Sequence, residues 1–169
     1  MVSPLRQEVF DFMEKYKNML EPEGWDILDV GTAGDPPRPD GKPGGNYVYF
    51  GDNNVYKTLD CSEQFEPDYV YDLCETGFDD NEWDLVIVSQ TLEHVFDVQK
   101  AINETYRIVR KGKFAIIDCP WMYPYHAEYN YDDYWRISVP AMEIMCKSAG
   151  FDIVDSSQTD LLTTLLVRK

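Results

Sequence analysis

The sequence predicts an α/β protein built on a mostly parallel sheet of seven strands, and three observations carry that reading. Short apolar runs recur at 25–30, 84–89 and 113–119. Each is too short for a helix and rich in β-branched residues, as expected of strands buried on both faces. Amphipathic segments with helix-capping residues fall between such runs, the alternation that crossover connections produce. Acids close the first three strands, at Asp29, Asp60 and Asp72. The ends of parallel strands share one rim of the sheet, so these carboxylates are expected to line a single crevice.

In chain order, Ser3 and Pro4 can cap and start a helix, and Leu5, Val9, Phe12, Tyr16 and Met19 or Leu20 then fall on one face. Pro22 and Gly24 stop it, which gives an N-terminal helix within 1–22. Strand one is expected at 25–30. Residues 35–46 hold Pro36, Pro37, Pro39 and Pro43 among several glycines, so this stretch cannot be the helix that normally links strands one and two. Tyr47 to Phe50 reads as a short extra strand, and Gly51-Asp52-Asn53-Asn54 as a turn. Strands two, three and four are expected at 56–61, 68–72 and 84–89. A helix over 97–111 is capped by Asp97, carries Val98, Ile102, Tyr106 and Val109 on its apolar face, gathers Arg107, Arg110 and Lys111 in its last turn, and ends at Gly112. Strand five follows at 113–119 and a helix at 139–149, stopped by Gly150. Segments 151–156 and 163–168 close the chain as an antiparallel pair at a sheet edge.

Composition restricts what this fold does. The 169 residues form one domain, able to bury roughly two-thirds of the unfolded surface. The formal charge of −16 opposes binding to nucleic acid or an anionic membrane, both of which require cationic contacts. A solvated acidic surface accounts for it better than attraction of a cationic substrate does. Cys61, Cys74, Cys119 and Cys146 are widely spaced, so reduced thiols are expected rather than a disulfide framework or a zinc site. With two histidines, His94 and His126, no metal cluster is expected. No run approaches a membrane span and the N-terminus lacks a signal-peptide layout, which points to the cytoplasm.

Strand one opens into the turn Gly31-Thr32-Ala33-Gly34-Asp35. Small residues there allow a ligand close to the backbone. The Gly-x-Gly-x-x-Gly pattern of dinucleotide sites is incomplete, and Pro36-Pro37 occupies the place where a phosphate-binding helix begins. A nicotinamide-dependent oxidoreductase is therefore disfavoured. An acid ending strand two, here Asp60, suits the paired hydroxyls of an adenosine ribose, since one carboxylate accepts both hydrogen bonds. Any one strand-terminal Asp serves equally as a turn residue. Three in succession favour a site.

Leu28-Asp-Val-Gly31, Leu59-Asp60-Cys-Ser, Tyr71-Asp72-Leu, the run from Trp83 through Leu92-Glu93-His94 to Val95, and Arg107-Ile-Val-Arg-Lys-Gly112 occur in this order. Over about residues 25–155 the chain resembles the class I S-adenosylmethionine-dependent methyltransferases, most of all the type 11 group. Tyr123-Pro-Tyr-His126 with Asp133-Tyr-Trp-Arg136 is similar to members found beside glycan-assembly genes. The resemblance implies a Rossmann-like sheet of order 3-2-1-4-5-7-6 with reduced helices on one face, and S-adenosylmethionine as cofactor. It implies a backbone cradle at Gly31 and Ala33 with Asp29 ordering that turn. Asp60 is implied on the ribose, Asp72 and the Leu73 amide on adenine, and Ser89 and Gln90 beside the sulfonium. Glu93 and His94 are read as mainly structural, starting the following helix. The chain departs from the family at Ala33 and Asp35, where glycine is usual.

The expected activity is methyl transfer to a small-molecule or glycan-related acceptor, with His126 as the base for a hydroxyl. Trp121, Tyr123, Tyr125, Tyr129, Tyr131, Tyr134 and Trp135 surround it as a ring-binding platform, and the same residues serve equally well to pack a loop. The competing reading is a non-catalytic binding or assembly module. Asp118-Cys-Pro-Trp121 is similar to the Asp-Pro-Pro-Trp signature of amino-methylating nucleic-acid enzymes, but it ends strand five rather than strand four, and the acidic charge opposes that substrate. A sheet face left thin by the missing helix, carrying Tyr47, Tyr49, Phe50 and Tyr56, leads to the expectation of a homodimer. Folding of the 35–46 loop onto that face is the alternative.

Overall fold

A computed structural model of the chain describes residues 3–31, 37–42, 44–127 and 131–169. Seven strands form one sheet in the order β3-β2-β1-β4-β5-β7-β6: β1 (Asp26–Val30), β2 (Val55–Asp60), β3 (Tyr69–Val70), β4 (Trp83–Val88), β5 (Val109–Pro120), β6 (Asp152–Gln158) and β7 (Leu162–Arg168). β1 pairs in parallel with both β2 and β4, with Leu28 opposite Lys57 on one side and Val86 on the other. β7 runs antiparallel to β5 and β6. The predicted class, the order and the antiparallel end are all present.

Period-two alternation divides the strand residues between two cores. Leu28, Val30, Val86, Val88, Ala115, Ile117 and Leu165 face α3 (Val98–Ile108) and α4 (Val139–Ala149). Ile27, Leu85, Ile87, Ile116 and Leu166 face the other way, onto Leu5, Val9, Phe12, Met13 and Tyr16 of α1 (Pro4–Leu20). Ser3 caps α1 by accepting from Arg6 N, and the helix stops at Glu21, whose backbone is left-handed. Pro22 follows directly, as expected of the residues that end this helix.

The crossover between β1 and β2 has no long helix among its described residues. Tyr47–Phe50 form a single turn, α2, rather than the expected strand. β1 already has a neighbour on each edge, so a strand there has no ladder to join. Asp29 sets the turn instead. Its carboxylate accepts from Asn46 N (2.9 Å), from Asn46 Nδ2 (3.1 Å) and from the Tyr56 hydroxyl. A second anchor lies at Asp68, which accepts from Arg38 Nη1 (2.5 Å) and Thr58 N (3.0 Å). Burial alone raises the Asp68 carboxyl, but the Arg38 and Thr58 hydrogen bonds outweigh it and hold the group at about 2. The described parts of the Pro/Gly segment, 37–42 and 44–46, are therefore tied to β1, β2 and the loop before β3, with Phe50 and Tyr56 inside the α1 core. This alters the basis for a dimer, since two of the four aromatics expected at its interface are buried within the chain.

Two further elements differ from expectation. β3 is two residues long, which puts Asp72 in the loop beyond it. The helix expected over 97–111 ends at Ile108, and the backbone is already extended at Val109. Arg110 and Lys111 belong to β5, where Arg110 bridges Asp84 (2.7 Å) and Asp26 (2.9 Å) across the sheet end, and Gly112 N donates to Lys169 O (2.7 Å). Arg110 serves strand-end carboxylates rather than a helix terminus, while Arg107 remains in the last turn of α3. No helix among the described residues is long and apolar enough to cross a membrane.

Candidate active site

At the carboxyl ends of β1, β2 and β4, where the chain leaves the sheet in opposite directions, lies a cavity of about 670 Å³. That is within the usual size of a small-ligand site and at the expected topological switch point. Gly31, Asp60, Asp72 and Leu73 line one side; Gln90, Glu93, His94 and His126 line the other, and Tyr131 also reaches the wall.

Gly31 follows β1 with φ +77°, and its N–H donates to Leu59 O (2.8 Å). A Cβ at this position would sit 2.1 Å from Thr91 Oγ1. Thr91 is fixed in turn, because its hydroxyl bonds the Val30 and Ser89 carbonyls at 3.1 and 3.0 Å. The loop after β4 thus closes onto the bare backbone after β1, and both the left-handed φ and the lack of space demand glycine. Ala33 lies outside the described residues.

Asp60 ends β2 almost fully buried. Its Oδ1 accepts from Ser62 N (2.8 Å) and from the Tyr131 hydroxyl (2.7 Å). Asp72 accepts from Cys74 N (2.8 Å), which orders the turn that presents buried Leu73 to the cavity. Asp29 and Ser89 do not reach the wall. Asp29 is committed to Asn46 and Tyr56, and burial pushes its carboxyl up to about 6 despite those donors.

Gln90 turns the corner after β4 with a left-handed backbone (φ +50°), and both its N–H (3.1 Å) and its side-chain amide donate to Oδ1 of buried Asp118. Burial pushes Asp118 up to about 7, against the lowering effect of these donors. Asp118 is a functional-site support that sequence reasoning passed over. Its one signal was an acid near the end of a buried strand, the same signal read at Asp29 and Asp60.

Glu93 and His94 form a 3₁₀ turn (Leu92–His94) instead of starting α3, whose cap is Asp97 through Lys100 N (3.1 Å). Glu93 is fully buried, and neither carboxylate oxygen has a hydrogen-bond partner. Both imidazoles point at it: Nε2 of His94 and Nε2 of His126 each stand 3.8 Å from Glu93 Oε1. This distance is an ion-pair contact rather than a hydrogen bond. The Glu93 carboxylate raises the His126 imidazolium above its ordinary range, against a lowering by burial. Arg136 fixes the loop carrying His126. It binds both oxygens of Asp133 (2.5 and 2.7 Å) and the Tyr123 and Pro124 carbonyls (both 2.9 Å), and Asp133 accepts from His126 N (2.8 Å). Arg136 is thus paired within the chain. Phe96, Tyr134 and Trp135 expose apolar surface beside this wall, with the Phe96 and Tyr134 rings 5.6 Å apart.

The family model described as "Methyltransferase domain" matches residues 29–117, more than half of the chain and the span that builds this cavity. No curated protein sequence matches. Among solved structures, an S-adenosylmethionine-dependent methyltransferase from Mesorhizobium loti superposes with a TM-score of 0.67 at 14% identity, covering 92% of this chain and 96% of the other. The 1,6-didemethyltoxoflavin-N1-methyltransferase of Burkholderia thailandensis, solved with 1,6-didemethyltoxoflavin and S-adenosylhomocysteine, gives 0.69 at 14% identity over 93% and 77%. A methyltransferase from Aquifex aeolicus gives 0.68 at 15% identity over 98% and 93%. These likenesses are to the fold, and the matched family carries the assignment: the chain belongs to the methyltransferase-domain family and is an S-adenosylmethionine-dependent methyltransferase.

Proposed function

We propose that the chain transfers a methyl group to a small-molecule or glycan-related acceptor bearing a hydroxyl. The observation that carries this is the cavity itself, which joins a cofactor-type wall at Gly31, Asp60 and Leu73 to an imidazole wall at His94 and His126. The residues fit the cofactor: a glycine that closes β1 where no side chain has room, a buried acid able to accept from two hydroxyls, and an apolar residue for a planar ring. Bound S-adenosylmethionine supplies a methyl group on a sulfonium, open to in-line displacement. Asp60 holds the ribose hydroxyls, Asp72 and the Leu73 backbone meet the adenine, and Gly31 with Ala33 receives the methionine end. Asp29 and Asp118 act from below, fixing the α2 turn and the Ser89–Gln90 corner. His126 is the catalytic side chain in this reading: its imidazole lines the cavity, and its Nε2, which stands 3.8 Å from Glu93 Oε1, is the nitrogen that takes the acceptor's proton. Phe96, exposed at the cavity wall with Tyr134 and Trp135 beside it, offers apolar ring surface to an acceptor.

The Burkholderia neighbour holds a small-molecule acceptor together with S-adenosylhomocysteine, which supports a small acceptor here. The acidic charge argues against nucleic acid, and four unpaired cysteines suit a reducing, cytoplasmic setting. With Phe50 and Tyr56 buried, the α2 face exposes chiefly Val48 and Val55, so we assign the monomer rather than the homodimer. The non-catalytic module is the second reading, favoured by the altered glycine turn and by the β1–β2 crossover, which has no long helix among its described residues.

Calorimetry with S-adenosylmethionine, S-adenosylhomocysteine and NAD tests the cofactor. A panel of nucleotide sugars, phenols and amines with labelled S-adenosylmethionine tests the transfer. Binding of S-adenosylhomocysteine with turnover of a hydroxyl acceptor is the expected result; binding of NAD alone would refute the reading.

A further inference from the structure

We propose that Glu93, His94 and His126 hold a divalent transition-metal ion in the wall of the cavity. The ligand atoms of the three side chains all lie within 4.8 Å of one another, and the carboxylate is fully buried with both oxygens unpartnered. A buried carboxylate without hydrogen bonds is costly unless a cation meets it.

The imidazoles are oriented as metal ligands are. His94 Nδ1 lies 2.7 Å from Asp132 O and His126 Nδ1 lies 3.1 Å from Pro124 O. Each Nδ1–H therefore donates to a backbone carbonyl, and the lone pair is left on Nε2, the nitrogen that faces Glu93. Anchoring of the remote ring nitrogen in this way is the usual support of a ligating histidine. Around His126 Nδ1 a second acceptor, Asp133 Oδ2, stands at 3.2 Å, which reinforces protonation there. Arg136 Nη2, 3.4 Å from the same nitrogen, has better partners in Pro124 O and Asp133 Oδ2.

Two imidazoles and one carboxylate suit zinc or another late first-row divalent ion. Tetrahedral ligands at ~2.0–2.1 Å from zinc stand about 3.3 Å apart. The observed Nε2–Oε1 separations of 3.8 Å therefore close by about half an ångström on binding. Both rings are partly exposed on the cavity side and have room to turn, whereas Glu93 is fixed. Three protein ligands leave positions open toward the cavity, where an acceptor hydroxyl completes the shell and is acidified by the ion, in place of proton transfer to His126. That role rests on the methyl-transfer reading; binding of the ion does not. The alternative occupant of the same lone pairs is a proton, with Glu93 facing an imidazolium.

The test uses the whole chain dialysed against a chelator and then titrated with Co²⁺, read by visible absorption, and with Zn²⁺ by competition against a chromophoric chelator. The expected result is one equivalent bound, with His94→Asn and His126→Asn each weakening binding by more than about a hundredfold, beyond the loss typical of outer partners. Glu93→Gln is expected to abolish binding and to remove the rise in Tm that Zn²⁺ gives the wild type; circular dichroism establishes that each variant is folded. Two results overturn the proposal: no stoichiometric binding by the wild type, or binding that survives both histidine substitutions, which assigns the ion to the acidic surface. S-adenosylhomocysteine titrated into the same samples reports the methyl-transfer reading separately, through Asp60.

Discussion

Asp60→Ala isolates the cofactor's ribose from the rest of the site. The carboxylate is expected to accept two ribose hydroxyls at ~1.5–3 kcal/mol each, a gross ~3–6 kcal/mol. Part of that is already spent. Oδ1 accepts from Ser62 N at 2.8 Å and from the Tyr131 hydroxyl at 2.7 Å, so a ribose hydroxyl on this oxygen replaces or shares the tyrosine bond, at ~1 kcal/mol. Water filling the truncated site returns a similar amount. The net loss is about 2–4 kcal/mol, or about 30- to 1000-fold in affinity. Calorimetry with S-adenosylhomocysteine measures it. Asp60→Asn serves as the companion variant, since its amide oxygen still accepts from Ser62 N and preserves the turn. If Asp60→Ala binds S-adenosylhomocysteine as the wild type does, with an unchanged unfolding profile, Asp60 lies outside the cofactor site and the cavity assignment fails with it.

The same geometry predicts that Tyr131→Phe, which frees one lone pair on Asp60, tightens S-adenosylhomocysteine binding by up to about tenfold; a weaker complex shows instead that Tyr131 contributes to the bound state. His126→Ala is expected to lower turnover by about 10²–10⁴ with cofactor affinity preserved. A variant that loses thermal stability while keeping turnover per folded molecule assigns His126 to packing. Asp29, pushed up to about 6 by burial, holds its proton more tightly folded than unfolded, so its stabilising contribution is full below about pH 4 and is lost as pH rises through 6. The difference in unfolding free energy between wild type and Asp29→Asn should therefore shift by about 3 kcal/mol between pH 4 and pH 7, against the variant at low pH; a difference that stays flat removes the buried-carboxylate account. Light scattering at micromolar concentration should return a mass near 19.7 kDa. A doubled mass that Val48→Asp and Val55→Asp abolish restores the dimer.

The sheet was legible because its signal is local. Leu85 to Val88 and Ala115 to Ile117 are apolar on both faces, and such a run of that length has few structures other than a buried strand. Errors fell where tertiary context overrides local preference. Tyr47 to Phe50 have strong strand propensity, yet β1 offers no free edge and Asp29 rewards a turn. Arg110 and Lys111 followed by Gly112 have the pattern of a helix end, but Asp26 and Asp84 draw Arg110 into the first residues of β5. In the site, the residues read from strand ends lie at or just behind the cavity wall because the C-terminal rim of a parallel sheet is fixed by topology. The approach of His126 to Glu93 was not legible. The two are 33 positions apart in sequence, and a loop clamped by Arg136 and Asp133 brings them together.

The three strand-terminal acids show why a motif locates a site more reliably than it assigns roles within it. Asp29, Asp60 and Asp72 sit at equivalent ends of adjacent strands or just beyond, yet one is a buried anchor, one is in the cavity wall and one is at its rim. What differs is the chain that follows. After Asp29 the usual crossover helix is absent, and the carboxylate supplies the acceptors that fold the replacement segment, through Asn46 and Tyr56. After Asp60 a short turn through Ser62 leaves the carboxylate facing the cavity, with a second oxygen uncommitted. β3 is two residues long and ends before Asp72, which turns the backbone at Cys74 and stays at the edge. The loss of a helix is thus coupled to the site through Asp29. The same acid that secures this helix-poor crossover stands one residue before Val30 and two before Gly31, so the anchoring of the replacement segment and the placing of Gly31 at the cavity wall depend on one carboxylate.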